Sequence, residues 1–286
     1  MSMTAAAPLI EASDLARRLD AHNTIVVDCR FRLTEPEAGA LAYRQAHIPG
    51  ARYADLDRDL ARQATPLEGR HPLPEPADFI ATLGSWGIEA DSHVTVYDDA
   101  GGAVAARLWW MLHRWLGHQR VAVLNGGLKA WLEAGFELEA GTVASRRADY
   151  AARPPSDAAK IETHELQAAL QSGALLLDAR ADARFRGQHE PIDPVAGHIP
   201  GAINLPFDRC LQADGRFLAA QQLRDLFLAT LGEASAKRCI AMCGSGVTAC
   251  HLLLGMRAAG LDGGRLYVGS WSEWIRDPAR PVATGD

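Results

Sequence analysis

The sequence predicts an α/β fold of two tandem, similar domains, each a mainly parallel sheet with helices on both faces. Three observations lead there. Short apolar runs alternate with helix-like segments along the whole chain, as in sheets buried on both faces. Four sequence landmarks recur in the same order at a nearly constant offset, so two copies of a unit of about 120 residues make up the protein. Finally, an apolar run in the second copy stops at a small-residue turn that leads into a helix, the arrangement that places a ligand beyond the carboxyl end of a strand.

In chain order, IEASDLARRLD reads as a helix, with Ser13 and Thr24 marking cap or turn positions. TIVVDCR (24–30) is a β-branched run ending in polar residues, and ETHELQAALQSG followed by ALLLDAR (174–180) repeats the pair. HIPGA stands at 47–51 and again at 198–202. Strand–helix pairs follow at 94–117 and 239–260, and LNGGLKAWLEAG (124–135) is echoed by YVGSWSEWIRD (267–277). The stretch 141–160 is rich in Ala, Arg and Pro and has no periodicity, so it reads as a linker between a first domain at 8–140 and a second at 161–286. Both copies carry Asp28 or Asp178, and His47 or His198 before Ile-Pro-Gly, which points to a shared structural task with the imidazole bonded to a loop. Trp109, Trp110 and Trp115 lie on one helical segment and are expected to pack.

Composition excludes several classes. With 286 residues, 48% hydrophobic and 22% charged, the chain is ordinary globular protein. Its net charge of -6 and lack of Lys/Arg tracts give no face for nucleic acid. There is no 18-residue apolar run for a membrane span. The opening MSMTAAAPLI has no basic stretch and no long apolar core, so no secretory leader is expected. Five irregularly spaced cysteines read as reduced thiols in a cytoplasmic setting. Cys29, Cys210, Cys239 and Cys250 form no CxxC ligand pair, and the expected chemistry requires neither metal nor cofactor.

The chemistry is concentrated in KRCIAMCGSGVTACHLLLGM, residues 237–256. Strand, turn and helix N-terminus in that order put Cys243 at the mouth of a nest of N–H groups, where negative charge is stabilised and a thiolate can act as a nucleophile. A cysteine at a strand end can equally be a small buried hydrophobe. Gly244, Ser245 and Gly246 favour the first reading, because they make a poor core and a good anion cradle. A phosphatase loop would need an arginine six residues after the cysteine, and Ala249 stands there. His251 lies inside the helix, an unconvincing base for acyl transfer. A cysteine persulfide, whose anionic terminal sulfur needs donors and no base, fits the cradle.

CGSGVTAC at 243–250 resembles the active-site loop of the 3-mercaptopyruvate sulfurtransferases, relatives of the thiosulfate sulfurtransferases in the tandem-domain rhodanese family. The resemblance implies sulfane sulfur transfer through a Cys243 persulfide, from a small anionic donor to a thiol, thioredoxin-like or cyanide acceptor. Gly244 and Ser245 stand where thiosulfate-preferring relatives usually carry cations, so the loop looks like the mercaptopyruvate type. The alternatives are a thiosulfate:cyanide sulfurtransferase and a non-catalytic rhodanese-like binding module.

The resemblance also implies roles by position. The cradle is Gly244, Gly246, Val247 and Thr248; Ser245, His71 and Asp57 match a serine–histidine–aspartate relay. Arg184, followed by Phe185, matches an arginine that contacts the donor carboxylate. The second substrate arginine of the mercaptopyruvate enzymes follows a Glu-Pro pair, but here Glu190-Pro191 is followed by Ile192. Arg186 is the expected replacement. By themselves His71 and Asp57 would read as loop residues, and Arg180 as a structural partner of a nearby carboxylate. In the first copy, Asp98 and Asp99 stand at the cysteine position, so that copy is expected to be catalytically silent.

Overall fold

The aliphatic and β-branched runs become the strands of two five-stranded sheets, and every strand pair in both is parallel. The computed structural model describes residues 7–232 and 236–286, so the first six residues of the N-terminal stretch expected to lack a leader lie outside the described residues. Two units divide the chain: residues 7–62, 74–156 and 212–217 form the first, and 63–73, 157–211 and 218–286 the second, leaving aside the undescribed positions.

The first sheet holds β1 (Leu9–Ile10), β2 (Thr24–Asp28), β3 (Arg52–Tyr53), β4 (His93–Tyr97) and β5 (Val121–Leu124), in the order β1-β5-β4-β2-β3. The second holds β6 (Lys160–Ile161), β7 (Leu175–Asp178), β8 (Ala202–Asn204), β9 (Cys239–Met242) and β10 (Arg265–Tyr267), ordered β6-β10-β9-β7-β8. The two orders are the same, so the sequence repeat is also a repeat of topology. Helices of the first unit are α1 (Ala12–Ala16), α2 (Glu37–Gln45), α3 (Pro76–Ser85), α4 (Ala105–Trp110) and α5 (Gly127–Glu133). Those of the second are α6 (Thr163–Gln171), α7 (Asp182–Phe185), α8 (Ala220–Leu231), α9 (Ala249–Ala258) and α10 (Ser270–Trp274).

In the second unit, alternate strand residues face opposite layers. Ile240 and Met242 join Leu176 and Tyr267 against Leu166 of α6 and Trp271 and Trp274 of α10. On the other side α9 packs against β9, β10 and α8. The first unit repeats the former layer with Val26, Tyr97, Leu15 of α1 and Trp131 of α5. Trp109, Trp110 and Trp115 are buried, the last in a wider π-helical turn, Met111–Trp115, that continues α4.

Three details differ from the sequence reading. The N-cap position of α1 is Glu11, whose side chain makes no capping bond, and Ser13 caps no helix, while Thr24 closes a turn onto the Ala21 carbonyl at 2.9 Å. The expected linker at 141–160 is not a free tether. Its Ala148 N–H bonds Gly84, its Ser156 N–H bonds Trp115, its Tyr150 hydroxyl meets His118, and Lys160 already opens β6. Tyr150 is buried, and that apolar contact outweighs the freedom an Ala/Pro-rich stretch would otherwise keep. Lastly, residues 63–73, inside the range expected for the first domain, belong to the second unit.

Each unit contains the same buried ion pair. Arg30 forks onto Asp28 and reaches the Ala46 carbonyl at 2.7 Å; Arg180 forks onto Asp178 and reaches the Gly197 carbonyl at 2.8 Å. His47 and His198 bond the carbonyls of Tyr43 and Phe185 through Nδ1 at 2.7 and 2.8 Å, and Phe185 stacks on His198. These duplicated residues hold the chain that leaves each sheet's second strand in order. Asp178 is fully buried, so Asp178→Ala would leave the buried Arg180 guanidinium with the Glu190 carboxylate at 3.6 Å in place of its forked partner, and is expected to cost about 3 kcal/mol in urea unfolding.

Candidate active site

The loop after β9 is shaped by what touches it from α10. The Cys243 carbonyl accepts the Trp271 N–H at 3.0 Å, and the Gly244 carbonyl accepts the Ser272 N–H at 2.9 Å. The Cys243 N–H donates to the Ser270 hydroxyl at 3.1 Å, which itself donates to the Tyr267 carbonyl at 2.9 Å. To reach both, Ser270 takes φ +53°, unusual for a residue with a side chain. Gly246 has φ +75°, and a Cβ there would lie 2.5 Å from the Val268 carbonyl oxygen, so only glycine fits. With the turn so held, the N–H groups of Gly244, Ser245, Val247 and Thr248 have no acceptor among the described residues. Cys243 sits in this cradle with 2% of its surface exposed.

The first unit supplies a natural control. After β4 the equivalent loop begins with Asp98, whose carboxylate accepts the N–H groups of Ala100, Gly102, Val104 and Ala105 at 2.8–2.9 Å. Burial pushes the Asp98 carboxyl up, and those four hydrogen bonds work against that without cancelling it. The same turn therefore binds an anionic group through backbone N–H groups. In the first unit a side chain occupies that position, in keeping with its expected chemical silence.

Ser245 and His71 meet within the second unit, Nδ1 to Oγ at 2.7 Å, both buried. His71 arrives there because 63–73 packs with this unit: the Arg70 N–H donates to Ser272 Oγ at 3.1 Å, and a Cβ on Gly69 would lie 2.5 Å from the Gly269 carbonyl oxygen. Asp57 stands on an exposed turn of the first unit, its N–H bonded to the Asp55 carboxylate at 3.0 Å.

Arg184 flanks Gly244, with two of its nitrogens 3.6 Å from where a Cβ would be. It is gripped by both Glu190 oxygens through Nε at 2.9–3.0 Å and by Asp193 through Nη2 at 2.9 Å. Burial pushes the Glu190 carboxyl up, but the Arg184 hydrogen bond and the N–H groups of Asp193 and Ile192 carry it below the usual carboxylate range. Arg186 is not brought to this loop. Its guanidinium, on the residue that follows α7, is turned to Asp182 and Asp286, beside Asn204 and Arg209. Arg180 is committed to Asp178 and lies over the Trp271 ring at 4.6 Å.

Four residues of this site were not singled out from sequence: Arg70, Asp193, Ser270 and Ser272. Arg70 adjoins His71 and Asp193 follows Ile192, so adjacency to expected positions was the available signal. Ser270 had a fainter one, since it occupies the place of Gly127, whose φ is +58°.

Comparison with known proteins agrees with this architecture. The rhodanese-like domain family matches residues 11–134 and 162–277. A Pseudomonas aeruginosa protein described as a probable 3-mercaptopyruvate sulfurtransferase is 51% identical over 283 residues, covering 98% of this chain and 99% of that one. A Mycobacterium tuberculosis protein provisionally named thiosulfate sulfurtransferase is 42% identical over 279 residues, 97% of each chain. The crystal structure of SseA from Escherichia coli, described among the 3-mercaptopyruvate sulfotransferases, superposes with TM-score 0.80 at 32% identity, covering 94% of this chain and all of that one.

Two outcomes follow from the site's electrostatics. Burial pushes the Cys210 and Cys239 thiols up to about 12 and Cys29 well above its ordinary value. Iodoacetamide should therefore modify native protein at Cys243 and leave these three untouched, as read by peptide mass. Glu190, held below its ordinary value, contributes stability that is present above the unfolded pKa of about 4.3 and lost as pH falls through the folded value. Glu190→Gln should thus be less stable than the parent at pH 7, with the gap closing towards pH 3, in thermal unfolding at both pH values.

Proposed function

Since this chain belongs to the rhodanese-like family, we propose that it moves sulfane sulfur from 3-mercaptopyruvate through a Cys243 persulfide, releasing pyruvate. The Cys243 thiolate attacks the donor's sulfur and the S–C bond breaks, leaving its electron pair on the methylene carbon as the enolate of pyruvate. The donor's thiol proton ends on that carbon, and the new persulfide keeps the negative charge. Gly244, Ser245, Gly246, Val247 and Thr248 form the turn in which that charge rests. A thiolate, a thioredoxin-like thiol or cyanide then takes the outer sulfur and returns the Cys243 thiolate.

One observation carries the choice of donor: the 2.7 Å hydrogen bond between buried His71 and Ser245, beside the cradle. Mercaptopyruvate needs a proton moved from sulfur to carbon, which a hydroxyl–imidazole pair can do. Thiosulfate releases sulfite and needs no such step. The relay of this reading is the Ser245–His71 pair of the second unit; Asp57, expected as its third member, belongs to the first. A thiosulfate preference is the second reading, favoured by the name of the Mycobacterium tuberculosis relative. The five cysteines are all free thiols, which suits a reducing, cytoplasmic setting. Among the described residues, no helix is long and apolar enough to cross a membrane.

The test is to measure pyruvate from 3-mercaptopyruvate and sulfite from thiosulfate, with intact mass of the protein after each donor. The expected result is one sulfur added, absent in Cys243→Ser, and faster turnover with mercaptopyruvate. His71→Gln should slow pyruvate release by about 10²-fold or more while changing sulfite release far less. A thiosulfate preference insensitive to His71→Gln would overturn the choice of donor, and no sulfur gained from either would overturn the persulfide.

A further inference from the structure

The two sheets match in order but not in chemistry at the amino ends of their strands, remote from the Asp98 and Cys243 turns. Counting back from the matched Asp28 and Asp178, Thr24 stands where the second unit has Ala174. Counting back from Asp98 and Cys243, Thr95 stands where it has Ile240. Three residues after the matched Leu15 and Leu166, Arg18 stands where it has Ala169. Ala169, Ala174 and Ile240 all pack in the core of the second unit. Their polar counterparts in the first do not close up, and they line a cavity of about 240 Å³. His93, paired with Thr24 in the sheet, and Arg120 complete its polar side, and Leu9 and Ile10 belong to its apolar side.

The polar groups here are short of partners. Thr24 Oγ1 is buried without a hydrogen bond, and the side chains of Arg18 and His93 have none among the described residues. Arg120 spends one terminal nitrogen on the Asp91 carbonyl at 2.9 Å. Asp14, the carboxylate in the lining, is turned to Arg17. Burial, then the fields of Arg120 and Arg18, hold His93 below its ordinary value, with Asp91 working against them, so both guanidiniums act at this ring.

We propose that this cavity of the first unit binds a small organic carboxylate, its charged end towards Arg18, Arg120 and His93 and its apolar body against Leu9 and Ile10. Guanidinium groups suit the planar carboxylate, and the Thr24 hydroxyl supplies a donor that the fold leaves unused. A cavity of about 150 Å³ already admits benzene, so one of about 240 Å³ has room for a ring as well as its carboxylate. An inorganic oxyanion would leave the apolar wall uncovered. Because β2, β4 and β5 begin at Thr24, His93 and Val121, this site lies at the opposite end of the strands from the turn that matches the Cys243 cradle.

The test follows the His93 imidazole signal of the full chain by NMR, identified by its loss in His93→Gln, during titration with benzoate and, separately, with sulfate at matched ionic strength. Benzoate should move the signal to saturation and sulfate far less. Arg18→Met, a change at an exposed residue, should weaken benzoate about ten-fold or more. Thr95→Ile gives the cavity the residue that the second unit carries there. It should abolish the shift while the thermal midpoint stays at or above that of the parent. No saturable shift in the parent, or one unchanged in both variants, would overturn the site. A shift lost in Arg184→Met and kept in Thr95→Ile would send the carboxylate to the Cys243 turn and overturn it too. An equal response to sulfate would overturn the organic ligand class.

Discussion

Backbone N–H groups that converge at the end of a buried strand require an acceptor, since leaving them unbonded away from water costs about as much as a lost hydrogen bond. Both halves of this protein build such a turn, after β4 and after β9, and much of their difference follows from how that requirement is met. In the first unit the Asp98 carboxylate lies among four N–H groups and completes the structure. In the second, a cysteine stands at the same place, and the N–H groups of Gly244, Ser245, Val247 and Thr248 have no acceptor among the described residues. A group that acquires negative charge on Cys243 would supply what Asp98 supplies permanently in the other copy.

The turn keeps its shape because its neighbours leave it little freedom. Gly246 is confined by the Val268 carbonyl, and Ser270 is held at positive φ by hydrogen bonds from the Cys243 N–H and to the Tyr267 carbonyl. Further out, the buried pair of Asp178 and Arg180 sets the course of the chain beyond β7, from which Arg184 arises. The first unit contains the same pair, Asp28 and Arg30, although Asp98 stands there in place of the cysteine. Duplicated residues therefore maintain the frame, and the residues of the proposed reaction, Cys243 and Arg184 among them, are unduplicated.

Much of this was legible in the sequence. The repeat could be recognised because two copies of one sheet need the same apolar runs and the same HIPGA turns, whatever each copy does. Cys243 could be recognised because a strand, three small residues and a helix are contiguous in the chain, so their geometry is local. β9, Cys239–Met242, spans the apolar run read there, and α9 begins one residue after Thr248.

What contiguity could not reveal depended on tertiary packing. That Arg186, after α7, turns to Asp182 and Asp286 while Arg184, within it, turns to Gly244 is decided by their partners in the fold, which residue counting does not resolve. That Arg70 and Asp193 meet, 123 residues apart, follows from 63–73 leaving its own half to pack with the other unit. The sequence by itself determined the fold, the place of Cys243 and the anion-binding form of the turn around it, because each rests on local periodicity and spacing. Only the tertiary structure decided which cations and which histidine share that turn, because those contacts join segments that no periodicity relates.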